Sequence, residues 1–273
     1  MKIALLGYGV VGSGAYKIIA ERPDCGLLVK RALVRTMRPG PAEGFLTTDF
    51  NDILNDPEIE LVAEAMGGLE PAYTYVMAAI RAGKHVVTAN KQLVCAHFRE
   101  LAQAAEEYGV QLRYTASAGG GVPWLYNLLR AKRLDEIEAI SGSINGTCNF
   151  ILGNMHKHKA QLAEVLAEAQ RMGYAEADPA ADIDGLDQQR KCAISAALAF
   201  SALVPEEKVD TAGIRHISAV DIAWAEQRGF VCKLMMHCRR ESAGLTAYVE
   251  PTLLPAGLPE ANLPVRSSIA TLH

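Results

Sequence analysis

The chain has 273 residues, of which 50% are hydrophobic and 21% charged, and its formal net charge is -4. This composition is ordinary for a globular protein, and the length is sufficient for two modest domains. The slightly acidic balance and the scattered Lys and Arg residues argue against a nucleic-acid partner. The longest apolar stretch, residues 192–204, contains two serines and is shorter than the roughly 20 residues of a membrane span, so no membrane partner is expected.

The N-terminus and the cysteines favour a location in the cytoplasm. Met1 leads directly into a strand-like run, without the charged and apolar regions of a secretory signal. The six cysteines form no C-x-x-C pair and show no His/Cys metal spacing. We therefore expect a cytoplasmic protein with reduced thiols.

The first part of the chain, to about residue 125, alternates short apolar runs with helical patterns. Strands are predicted at residues 2–6, 28–34, 61–65, 85–88 and 111–114. Helices are predicted at residues 15–21, from about residue 50, and at residues 71–82 and 98–108. Nearly continuous apolar strands separated by helices indicate a parallel sheet that is covered on both faces.

The pattern changes after Pro123. Here the sequence predicts strands at residues 137–145, 230–238 and 245–249, and helices at residues 124–132, 159–172 and 187–203. Residues 251–273 contain four prolines and little periodicity, so we expect an irregular tail. The domains are accordingly predicted as residues 1–125 and 126–273, the second being an α+β domain with a mixed sheet and helices on one face.

A glycine-rich turn lies between the first strand and the first helix. Residues 7–12 read GYGVVG and fit the G-x-G-x-x-G pattern, which places Gly7, Gly9, Val10, Val11 and Gly12 at a dinucleotide pyrophosphate. The helix that follows offers unpaired N–H groups and a partial positive charge to phosphates. The alternative is a turn without a ligand, but the strand–turn–helix context favours a Rossmann-type, doubly wound α/β domain.

The end of the second strand predicts the cofactor. An NAD site places Asp or Glu about 20 residues after the glycines, where it accepts a hydrogen bond from the ribose. This region instead reads ALVRT, with Arg35 followed by Arg38, and an arginine suits a 2′-phosphate. A solvated loop arginine is the alternative. We predict that NADP(H) is preferred over NAD(H).

Further segments show a family resemblance. These are TANK at residues 88–91, ASAGGGVP at 116–123, SINGTCNFI at 143–151, and GYAEADP at 173–179 followed by Asp182, Asp184, Gly185, Asp187, Arg190 and Lys191. In this order and spacing they resemble the homoserine dehydrogenase family, from residue 1 to about residue 270. The segment from residue 173 to Lys191 is the most specific part.

The acidic loop and the helix after it also have a physical interpretation. Asp187 and Lys191 are four residues apart, so on a helix they share one face and pair. The preceding loop concentrates four carboxylates, where a cationic group of a substrate would be held: Glu176, Asp178, Asp182 and Asp184. The alternative is a solvated acidic loop with a surface ion pair worth under about 1 kcal/mol.

The resemblance implies reversible hydride transfer between a nicotinamide and aspartate 4-semialdehyde, which yields homoserine in threonine and methionine biosynthesis. Lys191 is the candidate proton donor to the developing alkoxide. Lys91 is a second catalytic candidate near the nicotinamide, and Asp187 orients Lys191 or the substrate. Glu176 is assigned to the substrate's α-ammonium group.

The same resemblance assigns the remaining site residues. Asp182 and Asp184 are expected to contact the substrate, whereas Lys91 and Ser117 are expected to contact the cofactor. Hydride transfer to an aldehyde needs no thiol nucleophile, so Cys148 is interpreted as a packing residue.

Two features depart from the family pattern. Thr115 occupies a position where family members often carry a Glu that helps to bind a monovalent cation. The carbonyls of Ala118, Gly120 and Val122 remain candidate ligands for a structural Na+ or K+, at a site weakened by the missing charge. Family members also extend beyond the position of His273, so we expect a fragment or a shortened chain of lower stability.

Three functions remain open at this point. The chain is an active homoserine dehydrogenase or its catalytic part, a related reductase of another small carbonyl substrate, or an inactive dinucleotide-binding relative. The resemblance also suggests a homodimer formed through exposed strands of the second domain.

Overall fold

The computed structural model describes residues 1–37, 44–264 and 267–273. They form two compact units, Met1–Gly120 and Gly121–His273. Arg38, which follows Arg35 in the sequence, lies outside the described residues.

The first unit is a parallel sheet with helices between its strands. In chain order its elements are β1 (Lys2–Leu6), α1 (Val10–Ala20), β2 (Leu28–Leu33), β3 (Leu46–Thr47), α2 (Asn51–Leu54), β4 (Ile59–Glu64), α3 (Ala72–Arg81), β5 (His85–Thr88), α4 (Lys91–Glu107) and β6 (Leu112–Arg113). The strand order is β3-β2-β1-β4-β5-β6, and every neighbouring pair is parallel. This is the order of doubly wound dinucleotide-binding folds.

The core of this unit lies on both faces of the sheet. Ala4 and Leu6 of β1 belong to one buried cluster, and Ile3 and Leu5 belong to another. Successive side chains of a strand point to opposite faces, so β1 must be apolar at nearly every position to fill both clusters. The predicted parallel sheet with two covered faces is confirmed.

The second unit contains a mixed sheet and further helices. In chain order its elements are α5 (Trp124–Ala131), β7 (Ala139–Ser143), α6 (Gly146–His158), α7 (Leu162–Arg171), α8 (Ala180–Ile183), α9 (Leu186–Phe200), β8 (Asp210–Thr211), α10 (Ala219–Glu226), β9 (Phe230–Glu241), β10 (Gly244–Pro255) and β11 (Ile269–Leu272). The sheet order is β11-β7-β9-β10-β8, with β10 and β8 parallel and the other pairs antiparallel. The predicted fold class, a Rossmann-type unit followed by an α+β unit, is confirmed.

The prediction for the tail was wrong. Residues 251–255 continue β10, and residues 269–272 form β11, which pairs with β7. Among the described residues, β8 pairs with β10 only at Tyr248 and Val249, so the rest of this side of β10 is a free edge. A proline is tolerated at such an edge because its missing N–H removes no ladder hydrogen bond, and this explains Pro251 and Pro255 inside a strand.

Two helix predictions also required correction. The sequence predicted no helix at α6, yet residues 146–158 form one, and Lys159, predicted to begin a helix, ends it with a φ of 56°. α4 begins at Lys91 rather than near residue 98, because Asn90 caps its first turn. The structure describes no helix that is both long and apolar enough to cross a lipid bilayer.

Candidate active site

The glycine-rich turn of the first unit has the geometry that a dinucleotide phosphate requires. Gly7 has a φ of +101°, and a Cβ there would lie 2.8 Å from the carbonyl oxygen of Ala65. A Cβ on Gly12 would lie 2.1 Å from the carbonyl oxygen of Gly7, whereas a Cβ on Gly9 would meet nothing within 4 Å. Packing therefore requires the first and third glycines, and the second leaves open space for a phosphate at the start of α1.

A cavity of about 530 Å³ lies beside this turn and is lined by Gly7, Gly9, Arg35, Thr36 and Glu70, among others. Val10 and Val11 form the first turn of α1 and are 92% and 59% exposed, so the helix N-terminus is accessible. Arg35, which follows β2, is exposed and reaches the cavity. The carboxylate in this lining, Glu70, accepts a hydrogen bond from the hydroxyl of Thr74.

Lys91 is the first residue of α4, at the sheet edge that also carries the glycine turn. Asn90 caps this helix by accepting a hydrogen bond from the Leu93 N–H, and it donates to the carbonyl of Gly68. A cation is unfavourable at the positive end of a helix by about 0.3–1 kcal/mol. This placement is therefore not explained by helix stability, and it suits a group that meets an anionic or polar ligand.

Glu64 is a functional candidate that sequence reasoning missed. It ends β4, is only 2% exposed, and accepts hydrogen bonds from the Met66 N–H at 2.8 Å and from the Thr88 hydroxyl at 2.5 Å. Its carboxylate thus fixes the start of the loop that lines the cavity. Its position at the end of a buried strand was the available sequence signal.

Ser117 and the candidate cation ligands follow β6. Ser117 is buried, and its hydroxyl donates to the carbonyl of Tyr114 at 2.7 Å, which leaves its oxygen as an acceptor. Ala118 is buried and Gly120 has a φ of +56°. Among the described residues, no group of three or more His, Cys, Asp or Glu side chains is arranged to hold a metal ion. A cation site here would depend on backbone oxygens, and it stays a prediction.

The second unit contains a polar cavity of about 480 Å³, formed where α6, α8 and α9 meet. It is lined by Asn145, Gly146, Thr147, Phe150, Gly173, Tyr174, Asp182, Asp187 and Lys191. Three of the residues predicted from the sequence, Asp182, Asp187 and Lys191, are therefore brought together.

Asp187 and Lys191 form the charged pair of this cavity. They lie one turn apart on α9, and Lys191 Nζ is 2.7 Å from Asp187 Oδ2, with side chains 15% and 12% exposed for the lysine and the aspartate. Lys191 Nζ also donates to the carbonyl of Ile144 at 2.8 Å. The ammonium group is thereby held at the cavity wall by one anion and one carbonyl. Gly185, with a φ of +83°, begins this helix.

Asn145 connects the two carboxylates, and its role was not predicted. It is 3% exposed, and its Nδ2 donates to Asp182 Oδ1 at 2.7 Å and to Asp187 Oδ2 at 2.8 Å. Its Oδ1 accepts a hydrogen bond from the Cys148 N–H at 2.7 Å and so caps α6. An Asn before a helix is a recognisable cap signal, but the sequence does not show what its amide donates to.

Cys148 is buried below this cavity. Burial, followed by the nearby charges of Asp182 and Asp187, raises the pKa of its thiol well above the usual value. The thiol remains neutral at physiological pH and contacts the Asp182 carbonyl at 3.2 Å. This agrees with the packing role predicted from the sequence.

The other acidic residues of the loop do not line this cavity. Asp184 pairs with Arg215 through two hydrogen bonds of 2.7 Å each, and these bonds hold the pKa of its carboxyl below the usual value. Asp178 accepts a hydrogen bond from the Ala180 N–H at the start of α8. Glu176 is exposed, and it stands outside the lining described above. Their contact with a substrate is not supported by this geometry.

Comparison with known protein families identifies both parts of the chain. A family model described as "Homoserine dehydrogenase" matches residues 123–273, and one described as "Homoserine dehydrogenase, NAD binding domain" matches residues 7–115. The chain belongs to the homoserine dehydrogenase family. The resemblance read from the motifs is thus confirmed.

Individual members of the homoserine dehydrogenase family show the extent of the match. The Bacillus subtilis homoserine dehydrogenase is 40% identical over 93% of this chain and 61% of its own length. The Corynebacterium glutamicum homoserine dehydrogenase is 41% identical over 96% of this chain and 62% of its own length. The chain therefore spans a little over 60% of these relatives.

Solved structures of the family agree with the fold. A homoserine dehydrogenase from Thiobacillus denitrificans is 39% identical and superposes with a TM-score of 0.94 over 100% of this chain and 65% of its own. A putative homoserine dehydrogenase from Archaeoglobus fulgidus is 28% identical, with a TM-score of 0.87 over 100% of this chain and 89% of its own.

Proposed function

We propose that the chain interconverts aspartate 4-semialdehyde and homoserine with a nicotinamide cofactor, as an enzyme of threonine and methionine biosynthesis. One observation carries the proposal: a cavity in the second unit holds an ammonium group, Lys191, directly paired with a carboxylate, Asp187. Family membership and the glycine-rich turn of the first unit support a reaction that uses a nicotinamide cofactor.

Lys191 serves as the proton donor in the reduction. The carbonyl oxygen gains charge as hydride reaches its carbon, and an ammonium within hydrogen-bond distance stabilises that charge and transfers a proton. Asp187 and the Ile144 carbonyl orient the lysine so that its remaining N–H is available to the substrate. When bound, the nicotinamide supplies the hydride and accepts it in the reverse direction.

Asp182 and Asp187 give the cavity two carboxylates for one lysine, and the resulting net negative charge favours a substrate with an α-ammonium group. In this proposal Asp182 is the principal partner of that ammonium. Glu176 and Asp184 remain predicted contacts from the resemblance alone. Lys91 remains a second catalytic candidate on the cofactor side.

The preferred cofactor is NADP(H). Arg35 reaches the cavity beside the glycine turn, from the end of β2 where an NAD site needs an acid. The guanidinium group is suited to bidentate contact with a 2′-phosphate.

Three further properties belong to the proposal. Family resemblance and the free edge of β10 support a homodimer formed by the second unit. The carbonyls of Ala118, Gly120 and Val122 are the ligands of a structural Na+ or K+. All six cysteines are thiols and not disulfides, which is compatible with a reducing cytoplasm.

The experiment measures NADPH oxidation by absorbance with aspartate 4-semialdehyde, and compares the chain with Lys191→Met. The proposal expects turnover that depends on the semialdehyde and falls about 100-fold or more in the variant. Turnover of other small aldehydes at equal kcat/KM would favour a different reductase. No turnover and no NADPH binding would overturn the proposal.

A further inference from the structure

The Asn145 side chain has only one possible orientation. Carboxylates at neutral pH accept hydrogen bonds but do not donate them, so the amide nitrogen must face Asp182 and Asp187. The Cys148 N–H only donates, so the amide oxygen must face the start of α6. Both N–H bonds of the amide are thus directed at two separate carboxylates, at 2.7 and 2.8 Å.

The Asn145 amide counteracts the repulsion between the carboxylates of Asp182 and Asp187. Two carboxylates that share one hydrogen-bond donor repel each other, and Lys191 bonds directly to only one of them, Asp187. Hydrogen bonds to charged groups are stronger than those between neutral groups, so two of them from one amide oppose this repulsion. Because the amide is neutral, it brings the carboxylates together without cancelling the negative charge offered to a cation.

Asp187 Oδ2 also receives two donors at once, Asn145 Nδ2 at 2.8 Å and Lys191 Nζ at 2.7 Å. A rigid helix start therefore defines the position of the oxygen that orients the lysine. The residue before Asn145, Ile144, supplies the carbonyl that binds the same Nζ. Residues 144 and 145 together fix both partners of the ammonium group.

We propose that Asn145 is a positioning residue of this site: its amide fixes the spacing of Asp182 and Asp187, and through Asp187 the position of Lys191. The inference rests on the proposed function. A helix cap or a packing residue needs no donated hydrogen bonds on the side that faces the cavity. The positioning role of Asn145 needs two.

Two substitutions separate the donors from the cap. Asn145→Asp and Asn145→Ser both keep an oxygen that accepts from the Cys148 N–H, and both residues are good N-caps. Both lose the two N–H donors of the amide. The serine hydroxyl can replace at most one of them, and only the aspartate adds a third carboxylate. We expect kcat/KM for the semialdehyde to fall about 10- to 100-fold in each variant, with a lower kcat and a higher KM.

The pH dependence distinguishes the two variants. A third carboxylate favours protonation within the cluster, and a protonated carboxyl regains one donor. The Asn145→Asp variant should therefore recover part of its kcat as the pH is lowered from 8 to about 6. The Asn145→Ser variant should show a constant loss over this range.

Asn149→Ser is the matched control. Asn149 is fully buried on the same helix and donates to the Ser267 carbonyl, and the described cavity lining does not include it. This variant should lower the melting temperature while leaving KM within about 2-fold of the original, since buried amide loss alone acts on stability.

The outcomes are distinct. If the unmodified chain neither turns over the semialdehyde nor binds homoserine by calorimetric titration, the proposed function fails and this inference fails with it. If the unmodified chain is active and both Asn145 variants match it within 2-fold, only the positioning role is overturned. A selective loss in both Asn145 variants, with Asn149→Ser retaining KM, supports the role.

Discussion

Replacement of Lys191 by methionine separates the stability of the charged pair from its catalytic use. Methionine keeps most of the side-chain volume but leaves Asp187, whose side chain is 12% exposed, without its cation. Loss of one partner of a buried pair costs about 3–5 kcal/mol. We expect the lower end, about 3 kcal/mol, because the Asn145 amide still bonds to the carboxylate and water has some access.

The expected change in melting temperature follows from the size of the second unit. For domains of roughly 150–250 residues, each kcal/mol corresponds to about 2–4 °C, so the Lys191→Met variant should melt about 6–12 °C lower. The double variant Asp187→Asn/Lys191→Met also removes the negative charge that has lost its lysine, and it should recover most of this loss. Its turnover should nevertheless remain about 100-fold or more below that of the unmodified chain, because the proton donor is still absent.

Calorimetry and NADPH absorbance provide the two measurements. A double variant as unstable as the single variant would contradict the electrostatic explanation. A single variant with unimpaired turnover would remove Lys191 from the chemistry.

Three more predictions follow from the structure. Gly12→Ala should lower both the melting temperature and the NADPH affinity, because its Cβ would lie 2.1 Å from the Gly7 carbonyl oxygen. Gly9→Ala has open space around its Cβ, so it should weaken NADPH binding at an unchanged melting temperature. Fluorescence titration measures the affinities and thermal scans measure the melting temperatures. Arg35→Asp should shift kcat/KM at least about 10-fold from NADPH toward NADH, and an unchanged ratio would exclude a 2′-phosphate contact. The hydrogen bond from Lys30 holds the pKa of Asp56 below its usual range. The resulting stabilisation is fully present above the usual carboxyl pKa and is lost as the pH falls through the lowered pKa of the folded state. Asp56→Asn should therefore melt lower at pH 7, with the difference narrowing on acidification, and a constant difference would refute the assignment.

The first unit was the most predictable part of the fold because local signals specify it. Short apolar runs and the glycine turn at residues 7–12 are both read within a few residues of the elements that they define. The strand order then follows from the few ways in which a parallel sheet with helical connections is built.

α6 was missed because its burial is not confined to one face. Cys148, Phe150, Ile151 and Leu152 are all buried, so apolar residues occur around the helix and produce no clear helical period. The SINGTCNFI segment, residues 143–151, contains the first six residues of α6 and was interpreted as a motif, which also obscured its helical character. β11 was missed for another reason: it is held by pairing with β7, more than 100 residues earlier in the chain, and no local pattern reports such a partner.

The site was predictable in its charged residues but not in its geometry. The spacing of four between Asp187 and Lys191 predicts their pairing on a helix, and the structure contains that pair. Asn145 reaches Asp182 and Asp187 across 37 and 42 residues of sequence, so its role depends on tertiary packing. Arg215, which pairs with Asp184, is 31 residues away from it.

A crystal structure of the chain with NADPH and homoserine would show whether Lys191 is placed to be the proton donor. We expect the homoserine hydroxyl oxygen within about 2.6–3.2 Å of Lys191 Nζ, and the amino group against Asp182 in the same cavity. Homoserine bound with its hydroxyl oxygen away from both Lys191 and Asp187 would contradict this expectation.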